Sequence, residues 1–212
     1  SMANLSLYIG LQDTSENLKL PKTNLWIYPS ERYEQDIDKF MDDPEQDFPL
    51  VYISFPSAKD PTFNERYPNR STIEIVAPCP WEWVEQWADK PWGKRGDDYE
   101  ALKERFAQRL LEKLYEKLPH LRGKIDYYEL ATPLSTQFFC WYAKGEIYGL
   151  DHDPQRFEQN WLRPKTEIEG LYLTGQDIMT CGVVGAMIGG LMTAVTIGGV
   201  KALPLAKKIF VG

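Results

Sequence analysis

Histidine, cysteine and basic residues are scarce in this chain of 212 residues, and each shortage excludes a class of site. There are two histidines and three cysteines, and the cysteines are too far apart in sequence to form a zinc-ligand pair. The sequence therefore predicts no structural metal and a reducing compartment. Acidic residues outnumber basic ones by 31 to 24, which gives a net charge of −7. Without a basic footprint, we expect no nucleic-acid partner.

Long apolar runs are also scarce, and a single stretch needs to be tested as a membrane span. Residues 183–200 carry no charge, which fits the length of a span, and Gly185 and Gly189 have the spacing of a helix-dimer motif. Five glycines and the lack of an aromatic belt favour a helix buried against a sheet instead. We therefore expect a protein that is cytoplasmic or peripherally membrane-associated, and a peripheral anchor through 183–200 stays open.

Alternating and amphipathic patterns predict a sheet covered by helices over the first 150 residues. A stripe of apolar residues at helical spacing predicts a long helix over 98–118, and weaker patterns predict helices over 33–47 and 81–88. Because one long helix accompanies several short strands, the predicted fold class is α+β with a mainly antiparallel sheet. Short β-branched and aromatic runs place the strands at 6–12, 24–28, 50–55, 71–77 and 124–130.

Four tryptophans lie close together in sequence, at Trp81, Trp83, Trp87 and Trp92. Amphipathic rings suit a membrane interface or the wall of a cavity that holds a polyene. Helical spacing places Trp81 and Trp87 on the core side of the helix predicted over 81–88. Trp83 and Trp92 are therefore the predicted exposed pair.

Residues 169–194 have the pattern of a short strand, a Gly/Asp turn and a helix of small residues. The strand is predicted over 171–174, the turn contains Gly175 and Asp177, and the helix begins near Gly182. A helix start presents unpaired N–H groups and a partial positive charge to an anion or an electron-rich ring. Taken alone, Asp177 fits a turn cap, and the glycines fit a tightly packed helix without a ligand.

This segment resembles the C-terminal flavin-contacting segment of the phytoene desaturase/carotenoid isomerase/retinol saturase flavoproteins. Two further blocks, 131–139 and 145–153, resemble the retinol saturase branch in particular, and the resemblance covers most of 5–200. In that group, a Gly-x-Gly-x-x-Gly fingerprint holds the adenine and pyrophosphate of FAD. No such fingerprint follows a strand in this chain.

The resemblance implies the C-terminal part of an FAD-dependent oxidoreductase that acts on an apolar conjugated polyene by saturation, desaturation or isomerisation. It places Asp177 at the ribityl hydroxyls and the helix start at the N1–C2 carbonyl edge of the flavin, where a reduced flavin carries negative charge. It singles out no catalytic acid or base. The implied FAD-binding residues are Gly175, Asp177, Gly182, Val183 and Gly185.

The same resemblance implies a domain organisation and a set of partners. Residues 3–160 would belong to a substrate-binding domain, 165–200 to the closing strand and helix of a Rossmann-like FAD-binding domain, and 201–212 to a C-terminal tail. The expected partners are an N-terminal FAD-binding portion, the polyene, a membrane surface and a second copy of the chain. Alone, the chain is expected to be inactive.

A rival hypothesis is a stand-alone module that binds a lipid or a protein partner without redox activity. The missing fingerprint favours this rival, and a flavin spectrum would distinguish the two. His152 lies between two aspartates, whose carboxylates point to opposite sides of an extended chain. The triplet is therefore predicted to be a solvated loop and not a metal or acid/base site.

Overall fold

The computed structural model describes residues 1–202, 204 and 207, so most of the predicted tail over 201–212 lies outside the described residues. The chain divides into two compact units. One spans 2–146, and the other comprises Ser1 and residues 147–212.

The unit over 2–146 is built on an antiparallel sheet of five strands in the order β2-β3-β4-β1-β5. This sheet confirms the α+β prediction. The pairing of β1 with β5 shifts between Gly10 and Leu11, which is the irregularity of a bulge. The strands are β1 (Asn4–Gln12), β2 (Leu25–Ile27), β3 (Val51–Ser54), β4 (Arg70–Pro78) and β5 (Ile125–Ala131).

Alternation in the central strands separates a core face from an open face. In β4, Ile73, Ile75 and Ala77 are buried, whereas Thr72 and Glu74 on the other face are half-buried. Because side chains alternate along a strand, the aliphatic set of β1 lies beside that of β4. Leu5, Leu7, Ile9 and Leu11 form the β1 part of the core.

Helices of this unit contribute the other half of the core. The longest, α4 (Asp97–Lys117), buries four residues of its predicted apolar stripe, Tyr99, Phe106, Leu110 and Leu114. Three acidic residues in its first turn complement the positive end of the helix dipole. The remaining helices are α1 (Tyr33–Asp42), α2 (Pro56–Lys59), α3 (Phe63–Arg66) and α5 (Pro133–Cys140), with 3-10 turns at Trp81–Trp83, Glu85–Trp87 and Pro119–Leu121.

The predicted helix over 33–47 is shorter than expected, because α1 ends at Asp42. Asp43 is extended, with φ −144° and ψ 113°. This residue precedes Pro44, and the proline ring disfavours the α conformation of the residue before it.

The helix predicted over 81–88 is two 3-10 turns, and the prediction that Trp83 is exposed was wrong. A 3-10 helix turns every three residues, so Trp83 is brought onto the core and stacks on Phe106 at 5.9 Å between ring centroids. Trp81 and Trp87 are buried as predicted. Trp92 is exposed as predicted, and its ring lies 5.6 Å from that of Phe138.

The block over 131–139, which resembles the retinol saturase branch, contains the pair Thr132-Pro133, and this pair begins α5. Thr132 caps α5: its hydroxyl oxygen accepts from the Leu134 N–H at 3.2 Å, and the Ser135 hydroxyl accepts from the Thr132 N–H. The Tyr99 hydroxyl also bonds to Thr132 at 2.7 Å. Gly145 has φ +64°, and a Cβ on it would lie 2.1 Å from the Pro133 carbonyl oxygen. The block over 145–153 therefore begins at a glycine fitted against the start of α5.

The unit of Ser1 and 147–212 has few regular elements before Gly182. It contains α6 (Pro154–Phe157), a 3-10 turn at Gln176–Ile178, α7 (Gly182–Gly198) and a 3-10 turn at Gly199–Ala202. The helix predicted after the Gly/Asp turn is thus confirmed. Among the described residues, no helix is long and apolar enough to cross a membrane.

The strand predicted over 171–174 was wrong. Its only β pairing among the described residues is one bridge between Lys165 and Tyr172. A strand requires a neighbour along its length to pair its N–H and C=O groups. The Leu173 N–H donates to the Pro164 carbonyl as part of this single bridge, whereas the Leu173 carbonyl accepts from the Thr193 hydroxyl of α7 at 2.7 Å and not from a neighbouring strand.

Candidate functional site

The start of α7 is exposed, and the side chain of Cys181, the residue before it, makes no capping hydrogen bond. The Cys181 N–H donates to His152 Nε2 at 2.8 Å, and the N–H of Gly182 donates to Gln176 Oε1 at 3.2 Å. The next residues, Val183 and Val184, are exposed, and Val183 is 87% accessible. Because Gly182 has φ +88°, the chain enters the helix through a conformation that favours glycine.

A stripe of small residues joins α7 to the loop before it. A Cβ on Gly185 would lie 1.8 Å from the carbonyl oxygen of Thr180, and a Cβ on Gly189 would lie 2.1 Å from that of Gly175. Thr193, one turn further on, donates to the carbonyls of Leu173 and Gly189. Gly185, Gly189 and Thr193 are the buried residues of the helix. Gly185 is therefore required for packing, whether or not a ligand lies in front of the helix.

Asp177 holds a turn in this unit. Its Oδ1 accepts from the Leu150 N–H at 2.9 Å. Gly149 has φ +66°, and a Cβ there would come within 2.0 Å of the same oxygen. The carboxylate therefore ties the block over 145–153 to the Gly/Asp turn. This bond uses one oxygen of a group that accepts up to about four hydrogen bonds, so a ligand hydroxyl is compatible with it.

Arg156 is the buried centre of this unit, and the sequence did not single it out. Its guanidinium donates to the carbonyls of Gln176 and Asp177, both at 2.8 Å, and it has longer contacts to those of Leu150 and Asp151. It is only 7% accessible. A planar group with five donors can hold several carbonyls at once. It therefore fixes the backbone on which the start of α7 rests.

The prediction of a solvated loop holds for Asp151 and Asp153, which are exposed in a loop, but not for His152 between them. Its ring is half-buried, and Nε2 faces two donors, the Cys181 N–H at 2.8 Å and Arg156 Nη1 at 2.7 Å. Neither an arginine nor a backbone amide can accept a hydrogen bond. Nε2 is therefore the acceptor in this arrangement.

The five predicted FAD-binding residues occupy one short stretch around the start of α7. The 3-10 turn begins after Gly175, which has φ +91°, and contains Asp177, while Gly182 and Val183 are exposed at the helix start. An exposed helix start with a partial positive charge fits an electron-rich ring edge. Their role in flavin binding stays a prediction.

The open face of the sheet contains a second candidate site within 2–146. A cavity of about 400 Å³ lies over the middle of β1 and β4 and reaches β5, a size typical of small-molecule pockets. Gly10 lacks a side chain at its centre, where a Cβ would still be 3.9 Å from Tyr127. The cavity is lined by Tyr8, Ile9, Gly10, Pro56, Thr72, Ile73, Glu74 and Tyr127.

Glu74 is the single charged residue of that lining. Burial raises the pKa of its carboxyl above the ordinary value of 4.5, and the positive charge of Lys59 partly opposes the shift. Lys59 itself donates to Ser54 Oγ at 2.8 Å. In the sheet register, Tyr8 lies directly opposite Glu74, and Glu129 lies beyond Tyr8.

The raised pKa of Glu74 makes stability depend on pH. The protonated carboxyl of Glu74 makes its full contribution to the free energy of unfolding below the ordinary pKa. That contribution is lost as the pH rises through the pKa of the folded state, because the charged form is disfavoured there. We expect Glu74→Gln to raise the melting temperature at pH 7 by up to about 2 °C and to leave it unchanged near pH 4. Thermal melts of both proteins at the two pH values measure this. An equal difference at both would contradict it.

Comparisons with known proteins point to one group of enzymes. The chain is 40% identical over 203 residues to all-trans-retinol 13,14-reductase of Rattus norvegicus, which covers 90% of this chain and 32% of that protein. The human protein of the same name is 39% identical over 194 residues, with 88% and 32% covered. The inactive all-trans-retinol 13,14-reductase of Danio rerio is 31% identical over 201 residues, with 90% and 32% covered. No family model matches the chain.

These matches confirm the resemblance to the retinol saturase branch. The chain spans about a third of the length of the curated relatives it matches. The rat and human relatives are named reductases, so the segment that matches this chain is part of an oxidoreductase in each of them.

Proposed function

We propose that this chain, a relative of one segment of the all-trans-retinol 13,14-reductases, is the C-terminal part of an FAD-dependent oxidoreductase that acts on a retinoid-like polyene. The observation that carries the proposal is the identity of about 40% with the reductase of Rattus norvegicus over nine-tenths of the chain. In this proposal, residues 3–160 contribute the substrate side and 165–200 the flavin side. Alone, the chain is inactive.

FAD would supply hydride or electron exchange with a polyene double bond when bound. The chain would contribute shape and charge: the exposed start of α7 would face the electron-rich edge of the ring, and the exposed Val183 and Val184 would form the apolar surface beside it. Arg156 keeps that surface in place by holding the carbonyls of Gln176 and Asp177. Gly175 lets the backbone turn before the helix, since it has φ +91°.

Two exposed positions of α7 offer a matched test of the flavin contact. Val183 lies at the start of the helix and Ile197 near its end, and both are exposed. Introduced into a polypeptide of the relatives' length, Val183→Phe should lower flavin occupancy by about tenfold, equivalent to about 1.4 kcal/mol. Ile197→Phe should leave occupancy unchanged. The visible flavin spectrum per mole of purified protein measures both.

The same pair in the present chain controls for folding. Because neither side chain is buried here, both variants should melt like the wild type. Equal flavin occupancy in the two variants of the relatives' length would show that the helix start is not part of the flavin site. A wild-type protein of that length that purifies without flavin would overturn the proposed function. Gly185 and Asp177 are poorer probes, since both also hold the backbone of this unit together.

A second candidate function is polyene binding without redox activity. It is favoured by the cavity on the open sheet face and by the similarity to a relative that is named inactive. A long protein that binds a retinoid but purifies without a flavin spectrum would support this candidate instead.

A further inference from the structure

The cavity on the open sheet face has one charged group, Glu74, in a wall that is otherwise mostly apolar and aromatic. Its other polar side-chain groups are the hydroxyls of Thr72, Tyr8 and Tyr127. Glu74 projects from the centre of the sheet, in register between Ser54 of β3 and Tyr8 of β1. The rings of Tyr8 and Tyr127 line the cavity on the β1 and β5 side, and both residues are exposed. A ligand that fills this cavity would therefore place most of its surface on rings and methyl groups and one end near a carboxylate.

The charge beside Glu74 restricts which ligand group that end can be. Lys59 acts on Glu74 electrostatically and is held nearby by its bond to Ser54 Oγ. A second cation next to Lys59 would be repelled by it, and a second carboxylate would be repelled by Glu74. A neutral group with a hydrogen to donate fits both charges, because a carboxylate only accepts hydrogen bonds.

We propose that the cavity over β1, β4 and β5 binds the hydroxyl end of an elongated polyene alcohol, and that Glu74 accepts the hydrogen bond from that hydroxyl. That the ligand is a polyene rests on the proposed function. The role of Glu74 in selecting an alcohol is the new inference. Glu74 thereby determines specificity and orientation. Ligand binding would remove this half-buried carboxylate from water, and an acceptor left without a donor is then costly, so an analogue without the hydroxyl hydrogen binds less well.

All-trans-retinol and all-trans-retinal provide the matched ligands, since they share the polyene and differ in the donating hydroxyl. Titration of the whole chain, followed by quenching of protein fluorescence at pH 8, should show saturable binding with retinol favoured by about tenfold, the size of one charge-assisted hydrogen bond. Glu74→Leu should weaken retinol binding by about tenfold and remove the preference over retinal. Glu74→Gln, which keeps the shape, should reduce the preference.

Glu129→Gln is the control. It removes a carboxylate from the same face, two strands from Glu74 and outside the lining of the cavity. Glu129 accepts from the hydroxyl of the lining residue Tyr127 at 2.7 Å, and the amide oxygen of glutamine can still accept this bond, so the variant should retain the preference for retinol. The proposal is overturned if the wild type shows no saturable retinol binding, or if Glu74→Leu binds retinol as tightly as the wild type. Flavin occupancy does not enter this titration, so a failure here leaves the proposed function to its own test.

Discussion

Replacing Gly189 by alanine is expected to destabilise the unit of residues 147–212 by about 1–3 kcal/mol, the range of overpacking. The added Cβ would lie 2.1 Å from the Gly175 carbonyl oxygen, and this neighbour is backbone. Relief requires α7 to move away from the loop at 172–180. The loss should appear as faster amide hydrogen exchange in this loop and as a lower melting temperature.

Gly190→Ala is the matched control for that change. It lies one residue further along α7, where a Cβ meets only the Thr174 hydroxyl at 4.0 Å. Alanine is the better helix former, so this variant should gain about 0.5–1 kcal/mol. If both variants shift stability in the same direction, the close approach at Gly189 does not hold the helix in place.

Replacing Arg156 by alanine is expected to cost at least about 3 kcal/mol, from two charge-assisted bonds at about 1.5 kcal/mol each. The carbonyls of Gln176 and Asp177 would lose their short bonds, and His152 would lose one of its two donors. We expect rapid proteolysis within 150–182 and early melting. Arg156→Lys should recover only part of the loss, because one ammonium group cannot replace the planar fork.

Arg163→Ala controls for the loss of an arginine in the same unit. Its side chain is exposed, so the substitution should change the unfolding free energy by no more than about 0.5 kcal/mol. Wild-type protease resistance in Arg156→Ala would show that the buried guanidinium is dispensable for the loop.

The sheet could be predicted from the sequence because its signal is local. In β4, apolar and polar residues alternate over the whole strand, and the period of two assigns each side chain to a face without knowledge of the neighbours. The ends of helices were harder to place. Asp43 stops α1 through the proline that follows it, and Trp83 reached the core because 3-10 turns replaced the expected α-helix.

The site was only partly predictable because its key contacts join distant segments. The Gly/Asp turn and the start of α7 could be located from glycines and a resemblance. Arg156 had no signal, since its acceptors are backbone carbonyls that any sequence provides. The strand expected over 171–174 lacks a ladder for a related reason: pairing depends on a neighbouring strand, and a short apolar run does not reveal whether one is present.

The buried guanidinium of Arg156 also affects how a ligand would be held in front of α7. The loop leading into the helix is fixed by hydrogen bonds within the chain. Arg156 donates to the carbonyls of Gln176 and Asp177, and the Leu150 N–H donates to the Asp177 carboxylate. A surface that is already ordered loses little conformational entropy when it is occupied. Exposed Val183 and Val184 can then vary to adjust affinity while the fold beneath them stays intact, so binding strength and folding stability can change independently at this end of the chain.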